Sequence, residues 1–169
     1  VKGNPTLDKA LAQPSRIRKQ LQDILEVEQP ATHNLLCKRI AELWGIRVSP
    51  RLQAAVDDAL IGSYIDMTDS DVQAYWRTKE ASLDYPYYRT NSNRDVSDIP
   101  LIEIMNAVRY AVEQQVSIPQ ADLLRSATRL LGFARKGASI ESQISRAIQK
   151  LISNGVLVEN DGIVTSGEK

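Results

Sequence analysis

Residues 138–165 read ASIESQISRAIQKLISNGVLVENDGIVT, and two periods lie back to back in them. Ile140, Ile144, Ala147, Ile148 and Leu151 recur every three or four positions, the spacing of one face of an α-helix. Asn154-Gly155 stops that pattern. Val156-Leu157-Val158 and Gly162-Ile163-Val164 then flank Asn160-Asp161, and Asp161-Gly162 is the kind of pair that a two-residue hairpin turn requires. A helix therefore runs directly into a short β-hairpin.

Working upstream, Ser117-Ile118-Pro119 opens a second helix carrying Leu123, Leu124, Ala127, Leu130 and Leu131, with Gly132 as its stop. Ile102, Met105, Val108 and Val112 mark a helix before it. The first half repeats the plan. Ile17, Leu21, Ile24 and Leu25 mark a helix from Arg16 to the stop at Gln29-Pro30. Thr32 or His33 starts the next, with Leu35, Leu36, Ile40, Leu43 and Trp44 as its stripe and Gly45 at its end. Ser49-Pro50 reads as an N-cap followed by proline at the first helical position. Leu52, Ala55, Val56, Ala59 and Leu60 follow, up to Gly62. Residues 64–67 and 72–76 then read as two short strands around Thr68-Asp69-Ser70-Asp71.

The halves superpose at a constant shift. Ile17 falls on Ile104, Glu26 on Glu113, Leu36 on Leu123, Leu43 on Leu130 and Gly45 on Gly132. One extra residue then brings Leu52, Val56, Ala59 and Leu60 onto Ile140, Ile144, Ala147 and Ile148. Any two amphipathic helices align in part, but here three helices and a hairpin match in order. The expected fold is mainly α with short β-hairpins (α+β), arranged as tandem winged-helix-like units over 16–76 and 101–169. Residues 29–32 and 116–118 supply each unit's small first strand. Residues 1–15 are expected as a loosely ordered lead-in with a helical turn around Leu7–Leu11, and 77–100 as a connector extended around Tyr85–Arg89. A plain helical bundle is the rival, and it leaves the hairpins unexplained.

The 169 residues contain 21 Lys and Arg against 21 Asp and Glu. Neutrality argues against adhesion to nucleic acid by bulk charge and makes the distribution of charge the question. One Phe and two Trp leave a core of Leu, Ile, Val and Ala. Cys37 is the only cysteine, which rules out an intrachain disulfide or a cysteine-cluster zinc site and predicts a reducing, cytoplasmic setting. No apolar run is long enough for a membrane span. The opening Val1-Lys2-Gly3-Asn4-Pro5 has no apolar signal core and no initiator methionine, so a segment of a longer protein is expected.

Reaction chemistry is not legible. His33 is the only histidine and is expected at a helix start as a capping or surface residue. Neither a phosphate-binding glycine loop nor a G-x-S-x-G elbow occurs. Asp66, Asp69 and Asp71 have the chemistry for a hard cation but not the spacing of a complete EF-hand loop, and they read as a solvated turn. Cys37 lies on an apolar stripe and reads as a core thiol. The expectation is a non-enzymatic chain with no cofactor, no metal and no catalytic residue.

Charge distribution supplies the one positive functional signal. From Ser117 to Ile152 there are six basic residues against two acidic ones. In a winged helix the third helix reads the groove while its start and the preceding loop meet phosphates. Arg135 and Lys136 occupy that loop, and Ser139, Ser142, Gln143, Arg146 and Lys150 lie on the polar face of the helix. These seven are the candidate DNA contacts, and a merely solvated face is the alternative. The first unit exposes Asp57 and Asp58 and adds three hairpin aspartates, leaving Arg47 and Arg51 as its obvious contacts. The stretch Tyr85-Pro86-Tyr87-Tyr88-Arg89 reads either as packing between the units or as a base-stacking platform.

Residues 25–31 (LEVEQPA), Arg39-Ile40-Ala41, Trp44-Gly45-Ile46-Arg47, Glu103-Ile104, Leu130-Leu131-Gly132-Phe133 and Asp161-Gly162-Ile163-Val164 carry a family resemblance. Together they resemble the uncharacterised C-terminal domain of large bacterial superfamily 1 helicase-like proteins, downstream of a restriction-endonuclease-like region. The likeness spans most of Arg16–Thr165. It implies a non-catalytic accessory module of a DNA-processing protein, with ATPase and nuclease chemistry elsewhere and other domains of the parent as partners. The alternative is a docking or dimerisation module, possible as a homodimer, that makes no contact with nucleic acid.

Overall fold

The computed structural model describes residues 3–61, the backbone of 66–67, and residues 74–90 and 93–167. It is an α+β protein dominated by helices, and it divides into two compact units, Val1–Tyr85 and Pro86–Lys169.

Unit 1 opens with α1 (Pro5–Leu11), capped by the Asn4 side chain, which accepts from the Thr6 and Leu7 amides. This differs from the loosely ordered lead-in expected for 1–15, because Leu7 and Ala10 are buried and hold the helix in place. α2 (Pro14–Glu28), α3 (His33–Trp44) and α4 (Pro50–Leu60) follow. Thr32 caps α3 by accepting from the Leu35 amide, and Ser49 caps α4 by accepting from the Leu52 amide. Gly45 ends α3 at φ 62°, where a side chain would be strained, and the Ile46 amide closes back on the Ala41 carbonyl. Ile17, Leu21 and Leu25 of α2 meet Leu36, Cys37 and Ile40 of α3 and Leu52 and Val56 of α4 in one core. Leu43, expected in that core, is 59% exposed: it sits on the outer edge of the α3 stripe.

β1 (Asp66–Met67) pairs antiparallel with β2 (Tyr75–Trp76), and Ala31 bridges Tyr75 from the other side. Thus the segment between α2 and α3 does meet the strand that follows α4. The expected turn at 68–71, positions 64, 65, 72 and 73 of the expected strands and Gly62 lie outside the described residues, while Ala74 is described and buried. A short α5 (Lys79–Ser82) and the edge-on packing of Tyr85 on Trp76, with centroids 4.9 Å apart, complete the unit.

Unit 2 begins inside the expected connector. After a single 3-10 turn at Val96–Asp98 come α6 (Leu101–Glu113), β3 (Ile118–Pro119), α7 (Gln120–Leu130), α8 (Ala138–Ser153), β4 (Leu157–Asn160) and β5 (Ile163–Ser166). The sheet order is β3-β5-β4, antiparallel throughout. Asn160 pairs with Ile163, so the loop is Asp161-Gly162, with φ of 50° and 77°. Positive φ at both loop residues gives the turn a twist matching that of the strands, as a two-residue hairpin demands. Ile104, Val108, Leu123, Ala127, Ile144, Ile148, Leu157 and Val164 are all buried.

Helix starts in the two units are nearly evenly offset. Pro14 and Leu101 start α2 and α6, His33 and Gln120 start α3 and α7, and Pro50 and Ala138 start α4 and α8, giving offsets of 87, 87 and 88. Ala31 and Ile118, also 87 apart, are the two residues that bridge to the last strand of their units. No helix among the described residues is long and apolar enough to cross a membrane.

Candidate nucleic-acid interface

The loop 131–137 and α8 carry all seven predicted contact residues within unit 2. Arg135, Lys136, Ser139, Ser142 and Arg146 are exposed, while Gln143 and Lys150 are half-buried. Helix geometry aligns Ser139, Ser142, Arg146 and Lys150, spaced by three, four and four, into one lengthwise stripe. Gln143 lies at its margin. The stripe exists because Ile144, Ala147, Ile148 and Leu151 occupy the other side of the helix and are buried against α6 and α7.

Local charge is shared unevenly. Of the six cations between Ser117 and Ile152, Arg125 pairs with Asp122 within α7, and Lys136 lies 3.7 Å from Glu141. Both acidic residues of the segment are therefore engaged. No carboxylate among the described residues pairs with the exposed Arg129 or Arg135. The hairpin tip is different: Glu159 and Asp161 are exposed there and repel phosphate. The positive surface belongs to α7, the loop and α8, and the hairpin is not part of it.

Among its described residues unit 1 offers no equivalent stripe. Arg51, read from the sequence as a phosphate contact, is held at 3.0 Å by Asp8 of α1, a partner its own helix does not provide. His33 sits at the start of α3 and meets Asp57 of α4 at 2.5 Å. Cys37 lies 3.8 Å from the His33 ring and is wholly buried, and its thiol is pushed up to about 11 by burial and by the Asp57 charge. That is the signature of an inert core thiol. Among the described residues no group of three His, Cys, Asp or Glu side chains is arranged to hold a metal ion. Asp69 and Asp71 lie outside the described residues, as does the Asp66 side chain.

The stretch 85–89 is divided between the units: Tyr85 packs on Trp76, Tyr88 lies 5.9 Å from Tyr110, and Arg89 is committed to Glu103. Glu103 is fully buried and accepts from the Arg89 amide and guanidinium and, in bidentate fashion, from Arg94. Burial alone would raise its carboxyl, but the hydrogen bonds and charges of Arg89 and Arg94 outweigh that and hold it below the usual glutamate range. Sequence periodicity did not reveal this network. The available signal was that residues 101–112 are apolar nearly all round, so that a charged residue there needs a buried partner.

No family model, no curated protein and no solved structure matches this chain.

Proposed function

We propose that both units are of winged-helix type and that the chain is a non-catalytic accessory module of a DNA-processing, helicase- or nuclease-like protein, with unit 2 contacting DNA through α8. The observation that carries the reading is the lengthwise stripe Ser139, Ser142, Arg146 and Lys150, continued by Arg135 and Lys136 in the loop before it. Helix, small strand, helix, helix and hairpin, with sheet order β3-β5-β4, is the order a winged helix requires, and it supports the assignment. The link to helicase-like proteins rests on the sequence resemblance. A cytoplasmic setting fits the single buried thiol. The deciding experiment is a fluorescence-anisotropy titration with duplex, single-stranded and forked DNA at low and physiological salt. Reversal of Arg135, Lys136, Arg146 and Lys150 to glutamate abolishes duplex binding on this reading. Undiminished binding by that variant refutes it.

A second reading has its own observation. Val27, Leu43 and Ile61 of unit 1 are 83%, 59% and 69% exposed, on a unit whose α4 presents Asp57 and Asp58. Exposed apolar side chains on an acidic unit suit a protein partner, another domain of the parent protein or a second copy, better than a phosphate backbone. Sedimentation that gives a monomer at all concentrations counts against the homodimer form.

A further inference from the structure

Unit 2 contains a groove of about 310 Å³ between α6 and α7, lined by Tyr110, Ala111, Gln114, Gln115, Ser126, Arg129 and Leu130. We propose that it receives one unpaired nucleobase with its attached phosphate. The proposal rests on unit 2 being a nucleic-acid-contacting unit, but it assigns a site distinct from the α8 stripe and a different substrate form.

Four features of the lining select that ligand. Tyr110 is 44% exposed, and a tilted ring contact with Tyr88 at 5.9 Å supports it, so it presents a braced aromatic face. Every base has a π-face, and stacking on such a ring tolerates any sequence. Gln114, Gln115 and Ser126 have no side-chain hydrogen-bond partner among the described residues, leaving amide and hydroxyl groups for the donor and acceptor edge of a base. Arg129 is the only charged group in the lining and has no carboxylate partner among the described residues, so its guanidinium can meet one phosphate. Its volume lies at the low end of ligand-site sizes, roughly 300–1,000 Å³, which suits a single nucleotide. An acidic peptide anchored by an aromatic side chain shares the first and third features. It also needs partners along its extended backbone, and besides three neutral polar side chains the groove offers the carbonyl ends of α6 and α7, which accept hydrogen bonds but cannot donate to a peptide's carbonyls. A base brings its polar edge in the plane of its own ring and needs only side chains.

The test uses the full chain with two probes: a labelled eight-nucleotide oligothymidylate and a blunt duplex without unpaired bases. Tyr110→Ala is expected to weaken the oligothymidylate about ten-fold or more while leaving the duplex unchanged. Tyr110→Phe retains binding because the ring remains. Gln115→Glu, at an exposed position, weakens the oligothymidylate without removing the ring, so the result does not hinge on whether Tyr110→Ala folds normally. Equal oligothymidylate affinity in wild type, Tyr110→Ala and Gln115→Glu overturns the groove assignment, as does displacement of the oligothymidylate by a tyrosine-containing acidic peptide at comparable concentration. A chain that binds duplex but no oligothymidylate overturns the groove alone. One that binds the oligothymidylate through Tyr110 but no duplex overturns the α8 reading alone, and failure with both probes overturns both.

Discussion

Arg94 meets Glu103 with both terminal nitrogens at 3.0 Å, and the pair is sealed inside unit 2, with the Arg94 side chain 6% exposed and that of Glu103 not exposed at all. Arg89 closes the other side of the same carboxylate, its Nη2 at 2.6 Å and its Nε at 2.9 Å. One acidic residue on α6 thereby gathers two arginines from the segment before it, and Asn106 adds a bond from its side-chain amide to the Tyr87 carbonyl. This is how residues that look like a connector become part of a folded unit.

Removing Glu103 leaves two arginines without their shared counter-charge. Glu103→Ala is expected to destabilise unit 2 by roughly 3–5 kcal/mol, the range for breaking a buried ion pair on one side. Thermal melting followed by circular dichroism should show a midpoint lowered by more than about 10 °C. A change of only a degree or two means that the network contributes little.

The same network sets an acid limit. The folded-state pKa of Glu103 lies below its ordinary value of 4.5. A depressed carboxyl contributes stability that is complete above the unfolded-state pKa and lost as pH falls through the folded-state one. Stability should therefore decline below about pH 4.5 more steeply in wild type than in Glu103→Gln, as denaturant midpoints across that range will report.

Cys37 titrates in the opposite sense. Its thiol is pushed up from 9.0 to about 11, first by burial and then by Asp57. The unfolded chain loses this proton before the folded one does, so the thiol's contribution falls as pH rises from about 9 to about 11. At neutral pH a disulfide reagent should modify Cys37 only as fast as unit 1 opens, and fully in denaturant. Rapid labelling of the native chain contradicts a core thiol.

The hairpin of unit 2 depends on two glycines for different reasons. Gly162 has φ 77° in the turn, and Gly162→Ala should cost about 1–2 kcal/mol through backbone strain. Gly167 lies against the Gly155 backbone, where an added Cβ would come within 2.1 Å of the carbonyl oxygen. Gly167→Ala must move one of the two segments, and hydrogen exchange should show loss of the Gly167 amide bond to the Val156 carbonyl. Unchanged protection there removes the close-approach argument.

Salt dependence gives the α8 reading a quantitative check. Each phosphate neutralised contributes about 0.9 to the slope of log affinity against log salt on duplex DNA. Reversing Arg135, Lys136, Arg146 and Lys150 one at a time should lower that slope by about one for each residue that touches phosphate. A slope that none of the four changes places the contact elsewhere.

The order of the longer helices and of the last hairpin was legible because it rests on local rules, whereas α5 and the 3-10 turn at Val96–Asp98 fell inside the expected connector. Ile140, Ile144, Ala147 and Ile148 mark a helix face, Thr32 and Ser49 cap, Gly45 and Gly132 stop, and Asp161-Gly162 turns, each through interactions within a few residues. The polar stripe Ser139, Ser142, Arg146 and Lys150 of α8 was legible for the same reason, since it follows from helix spacing and from the burial of the apolar side. The groove of Tyr110 and Arg129 was not, because residues 19 positions apart on two helices share no local pattern.

By itself, then, the sequence determined a mainly helical α+β chain ending in a hairpin and the placement of positive charge on α7, the loop and α8. Only the tertiary structure decided which charges stay available and where each unit ends. Arg51 is claimed by Asp8, 43 positions away, and Arg89 and Arg94 by Glu103, 14 and 9 positions away. Helical periodicity carries information about neighbours three or four residues apart, whereas an ion pair depends on which elements pack together. That packing is set by burial of whole faces, so the fate of a charged side chain emerges only once the cores have formed.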